Sequence, residues 1–139
     1  MSSGYLLDTN FVSEARRPRP DPGVLAFLLE TGPDHSFVSA MTIGELRKGV
    51  AVKRARDAEA AGQLAEWIDQ LESEFSERVI AVDRAVARIW GELSAGRPLS
   101  VVDTLIAATA IVHDLTLVTR KVRDMASTGA RLLNPWEGA

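Results

Sequence analysis

The stretch Tyr5-Leu6-Leu7-Asp8-Thr9-Asn10 sets the architecture of the chain. Tyr5, Leu6 and Leu7 form a short apolar run of strand type, and Asp8 stands where the run ends. Thr9 and Asn10 are residues that cap helices, and Phe11, Val12 and Ala15 supply the apolar spacing of the helix to follow. A strand that ends in an acid and passes directly into a helix belongs to an open α/β sheet. In such sheets ligands sit at the carboxyl ends of the strands, which is where Asp8 falls. The competing role for Asp8 is that it only helps to cap the helix.

Working outward, the chain alternates strands with helices. Arg17-Pro18-Arg19-Pro20-Asp21-Pro22 is a stiff extended loop, in which Asp21 caps the next helix and Pro22 is its first residue. Val24 to Leu29 is apolar and helical, closed by Gly32-Pro33, and Ser36-Phe37-Val38-Ser39 is a second strand. Thr42 and Glu45 have capping-box spacing, which predicts a helix start there and a helix to about Lys53. A second helix runs from near Asp57 to Glu77, with Leu64, Trp67, Ile68, Leu71 and Phe75 on its apolar face and acids opposite. Together they predict a helical hairpin over 42–77. Arg78 to Val82 is a third strand. Asp83 caps a helix with Val86, Ile89, Trp90 and Leu93 inward, ending around Gly96 and Pro98. Ser100 to Val112 is apolar nearly all round and reads as a buried helix. Thr116 to Thr119 is a fourth strand, Arg120 to Asp124 a basic loop, and Arg131 to Leu133 a fifth strand. The expected class is α/β, a mainly parallel five-stranded sheet flanked by helices, in a single domain over 1–139.

Composition narrows the chemistry. The chain has 139 residues, no cysteine and two histidines, His35 and His113. Disulfides and thiolate metal sites are excluded, and a divalent ion would need oxygen ligands, which points to Mg²⁺ or Mn²⁺. The start lacks the basic-then-apolar pattern of a signal peptide, and no apolar run nears the roughly 20 residues of a membrane span, so the expected compartment is the cytoplasm and no membrane partner is expected. The net charge of −3 does not advertise a nucleic-acid binder. Yet cations cluster at Arg16 to Arg19, at Arg47 to Arg56 and at Arg120 to Arg123, enough for a local basic rim.

Four acids recur at element boundaries: Asp8 after the first strand, Glu45 and Asp103 in the first turns of their helices, and Asp124 in the loop after the fourth strand. In a parallel sheet these gather on one edge. Each also has a plainer role. Thr42 with Glu45, and Ser100 with Asp103, are capping boxes, and acids in a helix's first turn are favoured by the dipole. Asp103 is the sharpest, because its helix is otherwise almost without charge and a carboxylate beside so much apolar surface needs a partner. Converging carboxylates repel one another, and a divalent cation relieves that repulsion. A pocket of this kind suits magnesium and metal-assisted phosphoester hydrolysis.

Four motifs carry a family resemblance: Leu6-Leu7-Asp8-Thr9-Asn10, Thr42-Ile43-Gly44-Glu45-Leu46-Arg47-Lys48-Gly49, Val102-Asp103-Thr104-Leu105-Ile106-Ala107-Ala108-Thr109-Ala110 and Leu117-Val118-Thr119-Arg120. They resemble PIN-domain ribonucleases, and more narrowly the VapC toxins of bacterial toxin–antitoxin pairs in their FitB-like branch. Leu132-Leu133-Asn134-Pro135-Trp136 is similar to that branch too. The resemblance implies a PIN-like fold and a Mg²⁺- or Mn²⁺-dependent endoribonuclease. It implies Asp8, Glu45 and Asp103 as the metal-binding catalytic core, Asp124 as a fourth acid, and Thr9, Asn10 and Thr119 as polar support. Arg16, Lys48, Arg120 and Lys121 are the cations placed to meet RNA phosphate. It further implies a homodimer and a cognate VapB-type antitoxin whose C-terminal segment lies over the site, with an Arg reaching the carboxylates. The same resemblance implies larger hetero-oligomers with that antitoxin, and operator DNA reached only through it. Two departures stand out: Lys121 where the family often has Asn, and Met125 where it often has Phe.

Lys121 either meets RNA phosphate or neutralises a carboxylate and weakens the metal site, and the second role raises an alternative of another class, an interaction module that binds antitoxin or RNA without cutting. A phosphoacceptor domain of receiver type would use Asp8, Asp83 and Lys121, but it leaves Glu45 and Asp103 unexplained.

Overall fold

A computed structural model describes residues 4–136. The single domain expected over 1–139 thus includes residues 1–3 and 137–139, which lie outside the described residues. Five strands form one sheet: β1 (Tyr5–Leu7), β2 (Ser36–Ser39), β3 (Val79–Ile80), β4 (Thr116–Val118) and β5 (Leu132–Leu133). Their order is β3-β2-β1-β4-β5 and every pairing is parallel. Parallel neighbours need crossovers, and helices supply them. The helices α1 (Thr9–Arg16) and α2 (Pro22–Thr31) join β1 to β2, and α3 (Ala40–Arg54) and α4 (Ala58–Phe75) join β2 to β3. Then α5 (Arg84–Ser94) and α6 (Val101–Val112) lead to β4, and the short α7 (Val122–Met125) lies between β4 and β5.

Side chains alternate across the pleat, so Leu6 and Leu7 enter different cores. Leu7 packs with Phe11, Val24, Val38, Ile68 and Val118. Leu6 packs on the other face with Ile106, Ala107, Ala110, Leu117 and Met125. This is why α6 is apolar around its whole circumference: it lies in that second core. Gly4 precedes β1 at φ +124°, and a Cβ there would come within 2.6 Å of the His35 carbonyl oxygen. Only glycine lets the chain enter between β2 and β4 at this point.

Several boundaries differ from the sequence expectation. Asp8, not Thr9 or Asn10, caps α1, with its Oδ1 accepting from the Thr9 amide. The first of the paired helices begins at Ala40, not Thr42, capped by Ser39 at the end of β2. The strand passes into the helix with no loop, so Thr42 is free for another role. The third strand is limited to Val79–Ile80 because Ala81 and Val82 turn outward to solvent. Asp124 lies in the short helix α7 and not in a loop. By contrast, Asp21 with Pro22, Asp57 and Asp83 all begin helices as expected.

Candidate metal centre

The chain winds from β1 outward to β2 and β3, then returns to the other side of β1 as β4. The reversal leaves a crevice between the carboxyl ends of β1 and β4, the place where doubly wound sheets hold ligands. Asp8 and Thr119 are the residues at that crevice. The Asp8 amide donates to Val118 O at 2.9 Å, continuing the β1–β4 ladder by one residue. Its carbonyl then accepts from the Phe11 and Val12 amides at 3.0 and 3.1 Å, starting the helix. The residue is held on both sides, and only its carboxylate is free to serve anything else.

That carboxylate is buried, with 4% of the residue exposed. Its Oδ2 accepts from the Thr119 hydroxyl at 2.7 Å, and its Oδ1 from the Thr9 amide at 2.8 Å. Burial pushes the Asp8 pKa above 3.8; the Thr119 and Thr9 hydrogen bonds and the Lys121 charge pull it back, and the Asp103 charge pushes it up again, leaving it raised. Asp8 and Asp103 are therefore close enough to repel one another. The Ser100 hydroxyl caps α6 by accepting from the Asp103 amide at 3.0 Å, which sets Asp103 in the helix's first turn as expected.

Glu45 comes to the same region by a different route from the one its spacing suggested. It lies beyond the first turn of α3, so it caps nothing. Instead, its Oε1 accepts from the Thr9 hydroxyl at 2.5 Å. The Thr9 hydroxyl also lies 3.0 Å from that of Thr42, which is fully buried. A hydroxyl has one proton to give. With the carboxylate taking the proton of Thr9, Thr42 donates back, and the two threonines form a relay that holds Glu45. Thr42 is the residue that sequence reasoning missed, because Thr-x-x-Glu reads equally as a capping box.

Lys121 ties these acids together. Its Nζ is 3.3 Å from both Oδ1 and Oδ2 of Asp103. Burial pushes its pKa down, but the charges of Asp103, Asp8 and Glu45 outweigh this and hold the ammonium above 10.5. Three of the four predicted acids thus act on one cation. Asp124 does not join them directly. It lines a cleft with Asp103, Ser100, Arg97 and Ser127. Asp103 is the member common to both groups.

The donors are hard oxygens, and the cation already among them is an ammonium, so their chemistry fits a hard divalent ion of the magnesium type. Among the described residues no three acidic or histidine side chains stand together as a ready ligand cage. The fit is to an open site, in which one or two carboxylates are joined by water and substrate oxygens. Asn10, expected as polar support, has a buried Oδ1 with no hydrogen-bond partner and no contact with these acids among the hydrogen bonds described.

The cations sort as follows. Lys48 is exposed and lines a groove that runs from Glu45 past Lys53 to Arg56. Arg16 lies over the Trp67 ring at 5.5 Å and Arg120 over Trp136 at 5.2 Å, so both guanidinium groups are already stacked.

Residues 5–126 match the PIN domain model. The chain belongs to the PIN-domain family. It is 34% identical over 137 residues to the toxin FitB of Neisseria gonorrhoeae (strain ATCC 700825 / FA 1090), covering 94% of this chain and 97% of that one. It is 32% identical over 143 residues to the VapC ribonuclease Y4jK of Sinorhizobium fredii (strain NBRC 101917 / NGR234), covering 96% and 99%. The crystal structure of FitAcB from Neisseria gonorrhoeae superposes on this PIN domain with a TM-score of 0.85 at 33% identity, covering 95% of this chain and 98% of that one. The expected PIN-like fold, with its parallel five-stranded sheet, is the fold observed. No helix among the described residues is long and apolar enough to cross a membrane.

Proposed function

We propose that this PIN domain is the toxin of a type II toxin–antitoxin pair and acts as an endoribonuclease dependent on Mg²⁺ or Mn²⁺. The observation that carries this reading is the hydrogen-bonded chain at the sheet's switch point that joins Asp8 through Thr119 to Lys121 and Asp103, with Glu45 held beside it by Thr9. Asp8 and Asp103 would hold the metal. Asp124, which lines a cleft with Asp103, would complete the site or hold a second ion. When bound, the ion neutralises phosphate charge and makes a water easier to deprotonate.

The chain's own groups do the positioning. The Thr119 hydroxyl and Thr9 amide fix both oxygens of Asp8, so its carboxylate needs no reorganisation as charge develops. Glu45, fixed at Oε1 by Thr9, has Oε2 left to orient a water for attack on phosphorus. The groove of Lys48, Lys53 and Arg56 leads the RNA backbone away from the acids. Single-stranded loops of a structured RNA such as tRNA suit it, since unstacked bases can enter a crevice that a duplex cannot.

An antitoxin has a surface to cover. Leu28 lines an apolar groove with Phe11, Val12, Trp67, Leu71 and Phe75, and Leu25 and Leu29 of the same helix are exposed, Leu29 by 79%. We assign this face to the VapB-type antitoxin, with the toxin as a homodimer in the cytoplasm and operator DNA reached through the antitoxin. A second reading, an antitoxin- or RNA-binding module that does not cut, is favoured by the pairing of Lys121 with Asp103.

Purified antitoxin-free protein incubated with total tRNA tests the proposal. Discrete fragments that require Mn²⁺ or Mg²⁺, vanish with EDTA and are not made by Asp103→Asn are expected. Cleavage by Asp103→Asn at the wild-type rate would remove Asp103 from the site, and Mn²⁺ binding without cleavage of any RNA would favour the second reading.

A further inference from the structure

Lys121 is placed with more care than a surface lysine needs. Its amide donates to Thr119 Oγ1 at 3.0 Å, and the same hydroxyl donates to Asp8 Oδ2 at 2.7 Å. Its ammonium then reaches both oxygens of Asp103 at 3.3 Å. Asp8, Thr119, Lys121 and Asp103 therefore form one connected chain across the crevice. The side chain of Asp103 is 17% exposed and that of Lys121 44%. The pair has an open side through which ions and substrate can reach it.

We propose that Lys121 is a built-in counter-ion of the metal centre: it neutralises Asp103 in the metal-free protein, and a divalent ion must displace it to bind. This rests on the reading of Asp8 and Asp103 as metal ligands. Two cations cannot share one carboxylate's oxygens at contact distance without repelling each other. The ammonium is a point charge on a flexible four-carbon stem, so it can swing clear without moving the backbone that Thr119 holds. Once displaced, it stands at the rim of the crevice, unpaired and close to where a phosphate would lie. The free toxin is thereby kept at low metal occupancy, and ion and RNA binding reinforce each other.

Calorimetric titration of the EDTA-stripped, phosphate-free protein with Mn²⁺ alone tests this without recourse to activity. Lys121→Met should bind Mn²⁺ roughly fivefold more tightly than wild type, the change expected for loss of one partly exposed ion pair. Lys121→Arg keeps the charge and should bind as weakly as wild type, and Asp103→Asn should bind more weakly than either. Lys121→Gln serves in place of Lys121→Met if circular dichroism shows that the latter is misfolded. Equal or weaker Mn²⁺ binding by the neutral variants, with wild type still binding, would overturn the proposal and leave the metal centre standing. No Mn²⁺ binding by any variant at millimolar concentration would overturn both.

Discussion

At the residue scale, Asp8 carries a conflict between folding and function. Its carboxylate is buried, and its pKa is raised above 3.8 chiefly by that burial. Between 3.8 and the raised value the folded chain holds a proton that the unfolded chain has released. Stability therefore falls as pH rises through that window. With metal chelated, Asp8→Asn should melt at a higher temperature than wild type at pH 7, and the gap should close as pH falls below 4. A lower melting temperature at pH 7 would mean that the ionised carboxylate stabilises the fold. Thr119→Val is expected to behave oppositely. It leaves Asp8 Oδ2 without its donor, and should cost about 1–3 kcal/mol by urea unfolding at neutral pH.

The same scale shows what could be read from residue order. Asp8 and Asp103 were legible, because a strand-end acid and a lone carboxylate on an apolar helix both stand out against their neighbours. Glu45 was placed near the strand ends on a partly mistaken reading. Its apparent cap, Thr42, is a buried relay to Thr9, since Ser39 had already capped the helix from the end of β2. That Lys121 can neutralise a carboxylate was legible, but that the carboxylate is Asp103 was not. The two are 18 residues apart, and they meet only because the turn after β4 directs Lys121 back across the crevice.

At the scale of elements, the hairpin of α3 and α4 shows which forces dominate. Arg47 bridges the two helices to Asp69, at 2.7 Å, and to Glu72. Its side chain is more than a third exposed, so water screens the pair. Arg47→Ala should cost less than about 1 kcal/mol. Ile68 has no exposed surface and sits in the core beneath the same hairpin. Ile68→Ala should cost about 2–5 kcal/mol, because the cavity cannot collapse within a rigid helix pair. Equal losses in urea titrations would contradict this ranking and put the ion pairs on a par with the apolar seam. Gly4→Ala acts on the sheet itself. It forces a Cβ against the His35 carbonyl and an unfavourable φ, and should destabilise by about 1–3 kcal/mol.

At the scale of the whole molecule, strand order does most to make the site. A sheet wound β3-β2-β1-β4-β5 puts its reversal between β1 and β4. It brings Asp8 from the start of the chain to Thr119 near its end. The alternation of strands and helices, and hence the parallel sheet, was legible because each crossover carries its own cap and apolar stripe. The two edge strands were legible in place but not in extent, since two residues of β3 or β5 have no periodicity to mark their ends. The FitAcB structure superposes on this fold over 95% of the chain.

The central claim, that Asp8 and Asp103 hold a divalent ion at the switch point, is tested most directly by anomalous scattering from crystals of the protein soaked in Mn²⁺. The account predicts an anomalous peak in contact with Asp8 and Asp103, with the Lys121 ammonium moved off Asp103. A peak beside Asp124 alone, or none in the crevice with Lys121 still paired to Asp103, would contradict it.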